Sequence, residues 1–359
     1  MRHSVVLVAV FLLGCLSSLP LSVIGIPEAH RIKSVPYHRQ LTEYSCGAAS
    51  FAMAMGHATG EELDQRAIMD VLRTSEALGT FSGDMVRGGQ FSHMSGAQGR
   101  QFPEQAPTRG WDCKRWPDQL GLGAFGHRRM TCWLDELKAA IAQDIPAIIL
   151  MELGDVPFDG HYRVLVGYDD RSRRVTLLDP WDRDGVPREV EYSYEVFCGL
   201  WAYVERLANA TYPPNFAAIV APWRIQIEQH KEGNNLATMV ASITYTCPEP
   251  FCPVTAGEKA VAAFVATNVT ARITLPPNLP LSKGSLTLDL GTLQPGSTVQ
   301  AKWQVTRIPF AKTGPVVVDA WGLISGSLPA VPKLNSSTSH YPAYTYVDAI
   351  GGSGTLSLF

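Results

Sequence analysis

A cysteine at the start of a predicted helix is the residue in this chain best placed to act as a nucleophile. Cys46 follows Ser45 and opens a run rich in Ala and Met, which predicts a helix that is N-capped by Ser45 and ends at Gly60. A thiol in a first helical turn lies at the positive end of the helix dipole, so its thiolate form is favoured. Gln40 lies six residues upstream, and its amide is a candidate second oxyanion donor beside the backbone N–H of Cys46.

A histidine 115 residues later is the candidate base for this thiol. The pattern from Gly160 onwards predicts a β-hairpin with strands over 161–168 and 174–179. The midpoint between His161 and Asp179 is residue 170, so a loop of three or five residues centred there would place the two opposite each other. Directly opposed residues have Cβ atoms about 4.5–5.5 Å apart. An aspartate that orients a histidine base would complete a Cys-His-Asp triad.

Each of these side chains also has a structural role as its alternative. They could be a buried core cysteine, an edge-strand histidine, a strand-terminating aspartate and a loop glutamine. The position of Cys46 at a helix start and its spacing from Gln40 favour the nucleophile. His57 is excluded as the base, because eleven residues of helix would place it about 16 Å from Cys46 along the axis.

The composition is that of an ordinary globular protein. The chain of 359 residues is long enough for two domains, with 18% charged and 46% apolar residues and a formal net charge of −3. This balance gives no reason to expect nucleic acid or acidic lipid as a partner. The chemistry above needs no metal or organic cofactor, and the cysteines lack a second ligand pair at zinc-site spacing.

The first 25 residues have the pattern of a secretory signal peptide. Arg2 and His3 precede a short apolar run that reaches a small residue near Gly25. Serines and a proline interrupt this run, so a spanning helix is disfavoured and none is expected in the mature chain. Acylation of Cys15 after Leu-Leu-Gly, as in a bacterial lipoprotein, is the alternative. We therefore expect an extracellular protein, or one in the lumen of the secretory pathway.

Secretion favours disulfide bonds over metal sites for the remaining cysteines. Cys247 and Cys252 are close in sequence and flanked by prolines, which predicts a small disulfide loop. A Cys113–Cys132 bond is the second candidate, and it would leave Cys198 unpaired.

Three Asn-X-Ser/Thr sequons accompany these cysteines. They begin at Asn209, Asn268 and Asn335. In a eukaryotic secretory pathway each would be a glycan acceptor on a surface loop.

A change in hydrophobic period predicts two domains and an α+β fold class. Helical patterns and the hairpin extend over 27–208, with a glycine-rich insertion at 76–130 that either borders the active-site cleft or is an irregular elaboration. After a linker at 209–217, seven short period-two strands within 218–325 predict an immunoglobulin- or fibronectin-like β-sandwich. A Ser-, Pro- and Gly-rich tail is expected at 326–359.

The four candidate residues, in chain order, resemble the papain-fold cysteine peptidases of the peptidase C-39-like family, which is related to the bacteriocin double-glycine leader peptidases. The matching stretches within 33–205 are VPYHRQLTEYSCGAASFAM, IPAIILMEL, GHYRVLVGYDD and RVTLLDPW. The resemblance implies a papain-like domain with Cys46 as nucleophile and His161 as general base and acid. It further implies Asp179 as the orienting residue and Gln40 as the oxyanion donor.

Two residues depart from the family pattern, and both bear on specificity. Ala48 stands where the family often has proline, and Arg163 interrupts an otherwise apolar strand on the face of His161.

The triad and the resemblance together predict a secreted cysteine hydrolase that cleaves peptide, isopeptide or amide bonds in a peptide or protein substrate through a thioester. A transpeptidase or an amidase would use the same thioester, so both are variants of this prediction. The alternative is a catalytically inactive papain-like module in a secreted adhesion or carbohydrate-binding protein, in which the sandwich is the functional part.

Overall fold

The computed structural model describes residues 25–76, 78–92, 95, 120–154, 159–182, 188–207, 210–233, 235–252, 264–309, 312–332, 339–341 and 343–357. Most of the predicted signal peptide, Cys15, Cys113 and the sequons at Asn209 and Asn335 lie outside the described residues.

The helices of the described chain all lie in its first 201 residues. Their bounds are α1 Cys46–Thr59, α2 Gln65–Val71, α3 Ser82–Gln90, α4 Leu134–Ile141 and α5 Tyr194–Trp201. Within the described residues, no helix combines the length and the apolar character needed to cross a bilayer.

The strands fall into two groups along the chain. The first group is β1 Ala29–Arg31, β2 Gly123–His127, β3 Ala147–Glu152, β4 Gly160–Asp169, β5 Arg174–Leu178, β6 Glu189–Ser193, β7 Arg206–Leu207, β8 Ala210–Thr211 and β9 Phe216–Ala221. The second group is β10 Arg224–Lys231, β11 Leu236–Thr244, β12 Ala266–Thr274, β13 Leu281–Lys283, β14 Thr287–Leu293, β15 Thr298–Thr306, β16 Val316–Leu328, β17 Val331–Pro332, β18 Ser339–Tyr341 and β19 Tyr344–Leu356.

The first unit is a seven-stranded antiparallel sheet covered by helices on both faces. Its strand order is β2-β9-β3-β4-β5-β6, and β1 also pairs with β4. On one face, Tyr162 and Ile148 join the apolar cluster that contains Ala48 of α1. On the other face, Leu165 lies in the cluster that contains Leu137 of α4. Burial on both faces explains why β3 is a continuous apolar run rather than an alternating one.

Helix α1 begins and ends as the sequence predicts, but the capping is different. Gly60 ends the helix with a left-handed φ of 75°. Ser45 occupies the N-cap position without a side-chain capping bond, so the predicted cap is wrong. Its hydroxyl instead accepts a hydrogen bond from the backbone N–H of Thr42 at 2.9 Å, which closes the turn before the helix.

The β4–β5 hairpin forms, but the predicted register is wrong by two residues. Val164 pairs with Leu178, the ladder shifts between Leu165 and Gly167, and the loop after Asp169 has four residues before the Arg174 that pairs with it. Continuing the register by one residue puts Asp179 opposite residue 163 rather than residue 161. Because side chains alternate with a period of two, this shift keeps Asp179 on the face that carries His161.

The second unit consists of two four-stranded antiparallel sheets. Their orders are β10-β11-β15-β13 and β14-β12-β16-β19. Inner residues of both sheets, such as Met239 and Val318, belong to one apolar cluster, which places the sheets face to face. Trp223 and Trp303 are 3% and 2% exposed, so both tryptophans are core residues rather than surface ligands. The Asn268 sequon lies on strand β12 with Asn268 exposed, not on the predicted loop.

Two predicted boundaries differ from the strands observed. β9 begins at Phe216, inside the predicted 209–217 linker, and continues to Ala221; along this length it pairs with β2 and β3 of the first sheet. The predicted tail contains β19, which pairs with β16 along thirteen residues. Its glycines are required by packing, because a Cβ on Gly351 would lie 2.0 Å from the carbonyl oxygen of Ala320.

The disulfide bond in the described chain links Cys132 to Cys198, which corrects two predictions. Cys198 is paired, and the partner of Cys132 is not Cys113. The two cysteines are 66 residues apart, but α4 and α5 pack on the same sheet face and bring their Cα atoms to 5.5 Å. The predicted Cys247–Cys252 bond is not formed: both side chains are thiols, and a hydrogen bond joins them.

The two units are in direct contact through apolar and ionic interactions. Phe125 of β2 packs against Tyr245, with ring centroids 5.8 Å apart. Nε of Arg87 in α3 lies 3.2 Å from Oδ2 of Asp348 in β19, and both side chains are buried. The larger apolar cluster continues from the first unit into the second.

Candidate active site

Three of the four predicted site residues meet where α1 approaches the start of β4. Cys46 is the first residue of α1, and its side chain forms a hydrogen bond with that of His161. Nε2 of His161 lies 2.8 Å from Oδ1 of Asp179, which leaves Nδ1 for the thiol. Cys46 and His161 are 7% and 2% exposed, so the pair is nearly dry.

Asp179 is held on both carboxylate oxygens. Besides His161, Oδ1 accepts the backbone N–H of Trp181 at 2.8 Å. Oδ2 accepts Nε of Arg163 at 2.6 Å. The Trp181 ring stands edge-on to the imidazole, with centroids 5.9 Å apart, and covers it.

The buried thiol and imidazole stabilise each other's charged forms. Burial raises the pKa of Cys46, but the charge and hydrogen bond of His161 and the backbone N–H groups of Tyr162 and Gly47 outweigh burial, so the net pKa is lowered. Burial lowers the pKa of His161, whereas Cys46 and Asp179 raise it, and the net pKa lies above its ordinary value. The arrangement therefore favours a thiolate–imidazolium pair.

Asp179 stays ionised well into the acid range. Burial raises its pKa, but the hydrogen bond and charge of His161, the charge of Arg163 and the N–H of Trp181 together lower the pKa to about 2. An anionic acceptor for the imidazolium is thus present wherever the thiolate can form.

A cleft of 420 Å³ opens over Cys46 and His161. Its lining comes from six parts of the chain: Glu43, Tyr44, Cys46; Glu76, Leu78, Gly79, Thr80, Phe81; Leu150, Leu153; Asp159, Gly160, His161, Tyr162; Trp181; and Tyr203, Glu205, Arg206. Residues 76 and 78–81 are the start of the predicted glycine-rich insertion. This part of the insertion borders the cleft, which is the first of the two interpretations considered for it. Residues 93–94 and 96–119 of that insertion lie outside the described residues.

A buried ion pair supports the 78–81 wall of this cleft. Glu205 accepts the backbone N–H of Ser82 at 3.0 Å, which caps the first turn of α3. Its carboxylate also accepts the Ser82 hydroxyl and the guanidinium of Arg128. Arg128 lies over the ring of Phe216, 4.6 Å from its centroid. No sequence pattern predicts this cluster, because its members are separated by up to 134 residues.

Gln40 is near the site but is not placed as an oxyanion donor. Its Nε2 donates to the carbonyl oxygen of Thr42 at 2.8 Å, and its backbone N–H donates to that of Pro180 at 3.0 Å. It is not among the residues that line the described cleft over Cys46. The oxyanion role of Gln40 thus stays a prediction.

The described residues contain no group of three or more His, Cys, Asp or Glu side chains arranged to hold a metal ion. Arg163 is the site residue whose role sequence reasoning missed. Its signal was a charged side chain in an apolar strand, two residues after the histidine.

A family profile and a curated protein both match this chain. The sequence profile of the Peptidase_C39 like family matches residues 32–209. The chain is 31% identical over 117 residues to "Probable functional amyloid protease FapD" of Pseudomonas aeruginosa (strain PAO1), a match that covers 32% of this chain and 38% of the relative. It therefore spans well under half the length of that curated relative.

Among solved structures, the crystal structure of xylellain, a cysteine protease from Xylella fastidiosa, is similar with a TM-score of 0.38 and 15% identity. That similarity covers 56% of this chain and 88% of xylellain. The profile match contains Cys46, His161 and Asp179, and the segment 32–209 of this chain belongs to the Peptidase_C39 like family.

Proposed function

We propose that this protein is a secreted cysteine peptidase with a papain-like Cys-His-Asp triad, and that it cleaves peptide or isopeptide bonds through a thioester. The contact of Cys46 with His161, and of His161 with Asp179, at an open cleft is the observation that carries the proposal. Family membership supports a peptide or protein as substrate. The Cys132–Cys198 bond supports an oxidising, extracytoplasmic location.

The reaction divides into two steps that share one proton carrier. The Cys46 thiolate attacks the scissile carbonyl carbon, and the C–N bond breaks as His161 gives its proton to the leaving amine. A water molecule then attacks the thioester while His161 takes its proton. The C–S bond breaks, the acid product leaves and the thiolate–imidazolium pair is restored.

We assign stabilisation of the oxyanion to hydrogen-bond donors at the start of α1. The backbone N–H of Cys46 is the first donor, and we assign the second to Gln40, whose amide has one N–H beyond that used by Thr42. This assignment requires the Gln40 side chain to turn toward Cys46 when substrate binds.

Selective alkylation of the intact protein tests the proposed nucleophile. We expect iodoacetamide to modify Cys46 faster than Cys247 or Cys252 at pH values below the ordinary thiol pKa of about 8.5. Mass spectrometry of the digested protein would locate the label. The two thiols of the second unit serve as the internal control, because burial raises the pKa of Cys247.

Hydrolysis of a peptide library is the second measurement. Cys46→Ala should abolish turnover, whereas Cys252→Ala should retain it. A Cys46 no more reactive than Cys252, together with no turnover of any amide, would overturn the proposal in favour of the inactive module.

A further inference from the structure

Arg163 is a buried charge that the proposed two-step reaction does not use. It is 3% exposed and lies in the middle of β4, between the buried residues Tyr162 and Val164. Removing a guanidinium from water costs several kcal/mol unless its hydrogen bonds are restored. The side chain is not among those that line the described cleft, so substrate binding does not explain it.

The contacts of Arg163 point toward the carboxylate behind the imidazole. Nε donates to Oδ2 of Asp179 at 2.6 Å. The other two nitrogens reach backbone carbonyl oxygens at the end of β3, those of Glu152 at 3.3 Å and Leu153 at 3.4 Å. The planar guanidinium is thus held by two carbonyl oxygens at the end of β3, while its Nε donates to the carboxylate of Asp179. A lysine ammonium could not reproduce this set of directed hydrogen bonds.

The two oxygens of Asp179 are divided between two tasks. Oδ1 faces His161 and the N–H of Trp181, whereas Oδ2 faces Arg163. Held at both oxygens, the carboxylate cannot rotate about its Cβ–Cγ bond without losing a charged hydrogen bond.

The charged and titratable groups around Asp179 come from several packed elements. β4 contributes His161 and Arg163. The segment before α1 contributes Tyr37, whose hydroxyl donates to the backbone oxygen of Asp179 at 2.9 Å. β6 contributes Tyr192, whose ring centroid lies 5.8 Å from the Arg163 guanidinium.

Further groups surround this set. Cys46 of α1 lies beyond the imidazole, and Asp182 forms an ion pair with Arg188 at 3.0 Å on the exposed side of Tyr37. Within the part of the chain that the structure describes, Arg163 is the cation in direct contact with Asp179 besides the imidazolium.

We propose that Arg163 is a positioning residue for the proposed peptidase, acting through Asp179 to fix the carboxylate and keep it anionic, so that the thiolate–imidazolium pair survives at acidic pH. The inference rests on the proposed function, and it extends the catalytic relay to Cys46–His161–Asp179–Arg163. It also gives a role to the residue that departs from the family's apolar strand.

The pH dependence of Cys46 alkylation tests this without any substrate. In Arg163→Met, Asp179 loses its cation and takes up a proton at higher pH, so the acid limb of the alkylation rate should move up by about one pH unit. The acid limb of Arg163→Lys should lie between those of the wild type and Arg163→Met, because lysine restores the positive charge but not the planar guanidinium. Arg174→Met is the matched control, because it removes an exposed arginine paired with Glu191 at 3.7 Å on the same sheet.

A double-mutant cycle separates action through Asp179 from a direct effect of the Arg163 charge on the thiol. Added to Asp179→Asn, Arg163→Met should produce no further shift of the acid limb. The same shift in both backgrounds, or a profile of Arg163→Met that coincides with the wild type, would overturn the inference.

A measurement on the wild type tests the inference even if the Arg163 variants do not fold. The ¹³C carboxyl resonance of Asp179, assigned by its absence in Asp179→Asn, should not titrate above about pH 3, whereas an ordinary aspartate titrates near about 3.9. Titration at the ordinary value would exclude the role of Arg163.

Kinetics distinguish failure of this inference from failure of the proposed function. We expect Arg163→Met to lower kcat with KM unchanged, because Arg163 lies behind the triad. A wild type without peptidase activity and without a reactive Cys46 overturns the function itself. An active wild type with an unaffected Arg163→Met overturns only the positioning role.

Discussion

At the level of single residues, the buried thiol and imidazole are charged only as a pair, because burial alone favours the neutral form of each. The His161 interactions lower the pKa of Cys46, and the Cys46 and Asp179 interactions raise the pKa of His161. The reactive state is therefore the one in which the proton has already moved from sulfur to nitrogen.

The first prediction is a bell-shaped dependence of kcat/KM on pH. The acid limb should lie below the ordinary thiol pKa of about 8.5 and the alkaline limb above the ordinary imidazole pKa of about 6.5. In Asp179→Asn the imidazolium loses its anionic acceptor, so the alkaline limb should move to lower pH. Steady-state rates on a fluorogenic peptide would measure both limbs, and an activity that rises only above the ordinary thiol pKa would contradict the prediction.

The sequence predicted which elements carry Cys46, His161 and Asp179, but it did not predict the surroundings of these residues. A cysteine at a helix start and a histidine and aspartate on one hairpin face follow from local periodicity, and the structure brings these three together. Arg163 and the Glu205–Arg128 pair are visible only in three dimensions, because a charge can be buried only where distant partners are already placed.

At the level of elements, the first turn of α1 packs so closely against the 78–81 wall of the cleft that a Cβ at Gly47 would clash with it. A Cβ on Gly47 would lie 2.6 Å from both Cβ and Oγ1 of Thr80, and 3.1 Å from Cδ2 of Tyr162. Glycine after Cys46 thus allows α1, the 78–81 wall and β4 to pack together.

The second prediction concerns this close approach. Gly47→Ala should push the Thr80 wall outward, lower kcat/KM by about tenfold or more and lower the free energy of unfolding by about 1–3 kcal/mol. Urea unfolding and peptide hydrolysis would measure the two effects.

Gly199→Ala in α5 is the matched control for this substitution. No atom lies within 4 Å of a Cβ at Gly199, so the variant should gain about 0.5–1 kcal/mol of stability and keep its activity. Equal behaviour of the two alanine variants would show that the contact with Thr80 does not matter.

In the β4–β5 hairpin, the local pattern predicts the face on which a side chain lies but not the residue opposite it. Alternation correctly assigns His161 and Asp179 to one face. The β-bulge after Leu165 and the four-residue loop decide which residues are directly opposed, and neither leaves a distinct mark in the sequence. The diagonal arrangement that results makes room for Arg163 beside the carboxylate.

At the level of the whole molecule, the second unit is joined to the first by buried contacts. Arg87 of α3 pairs with Asp348 of β19 and lies over the ring of Phe91 at 4.3 Å. The hydroxyl of Tyr346 donates to Gln90 at 3.0 Å. Helix α3, which begins at the cleft wall, is thus anchored to the last long strand of the chain.

The third prediction follows from that anchor. Asp348→Ala should lower the free energy of unfolding by about 3–5 kcal/mol, because it removes one member of a buried ion pair and leaves the charge of Arg87 in the interior. The loss of Cys46 reactivity in urea should shift together with the circular dichroism signal, since one apolar cluster spans both units.

Asp319→Ala is the control for this effect. Asp319 pairs with Arg272 at 3.4 Å on the more exposed side of β16, so its loss should cost less than about 1 kcal/mol. Similar destabilisation by the two variants, or separate transitions for the two signals, would contradict the prediction.

Long-range pairing accounts for most of what the sequence could not reveal at this scale. Cys132 and Cys198 are joined because two helices share a sheet face, and connectivity among cysteines cannot be deduced from their spacing. The apolar stretch Phe216–Ala221 was assigned partly to a linker, because a fully buried strand lacks the alternation that marks an exposed one.

Placement of β9 between β2 and β3 has a consequence for any shortened version of the chain. A polypeptide that ends at residue 209, where the family match stops, would contain Cys46, His161 and Asp179 but would leave one apolar edge of β3 without its neighbouring strand. Such an edge is a template for intermolecular strand pairing. The strand that covers this edge of β3 is thus synthesised after the segment that the family profile matches, and we expect the shortest fragment that folds to extend at least to Ala221.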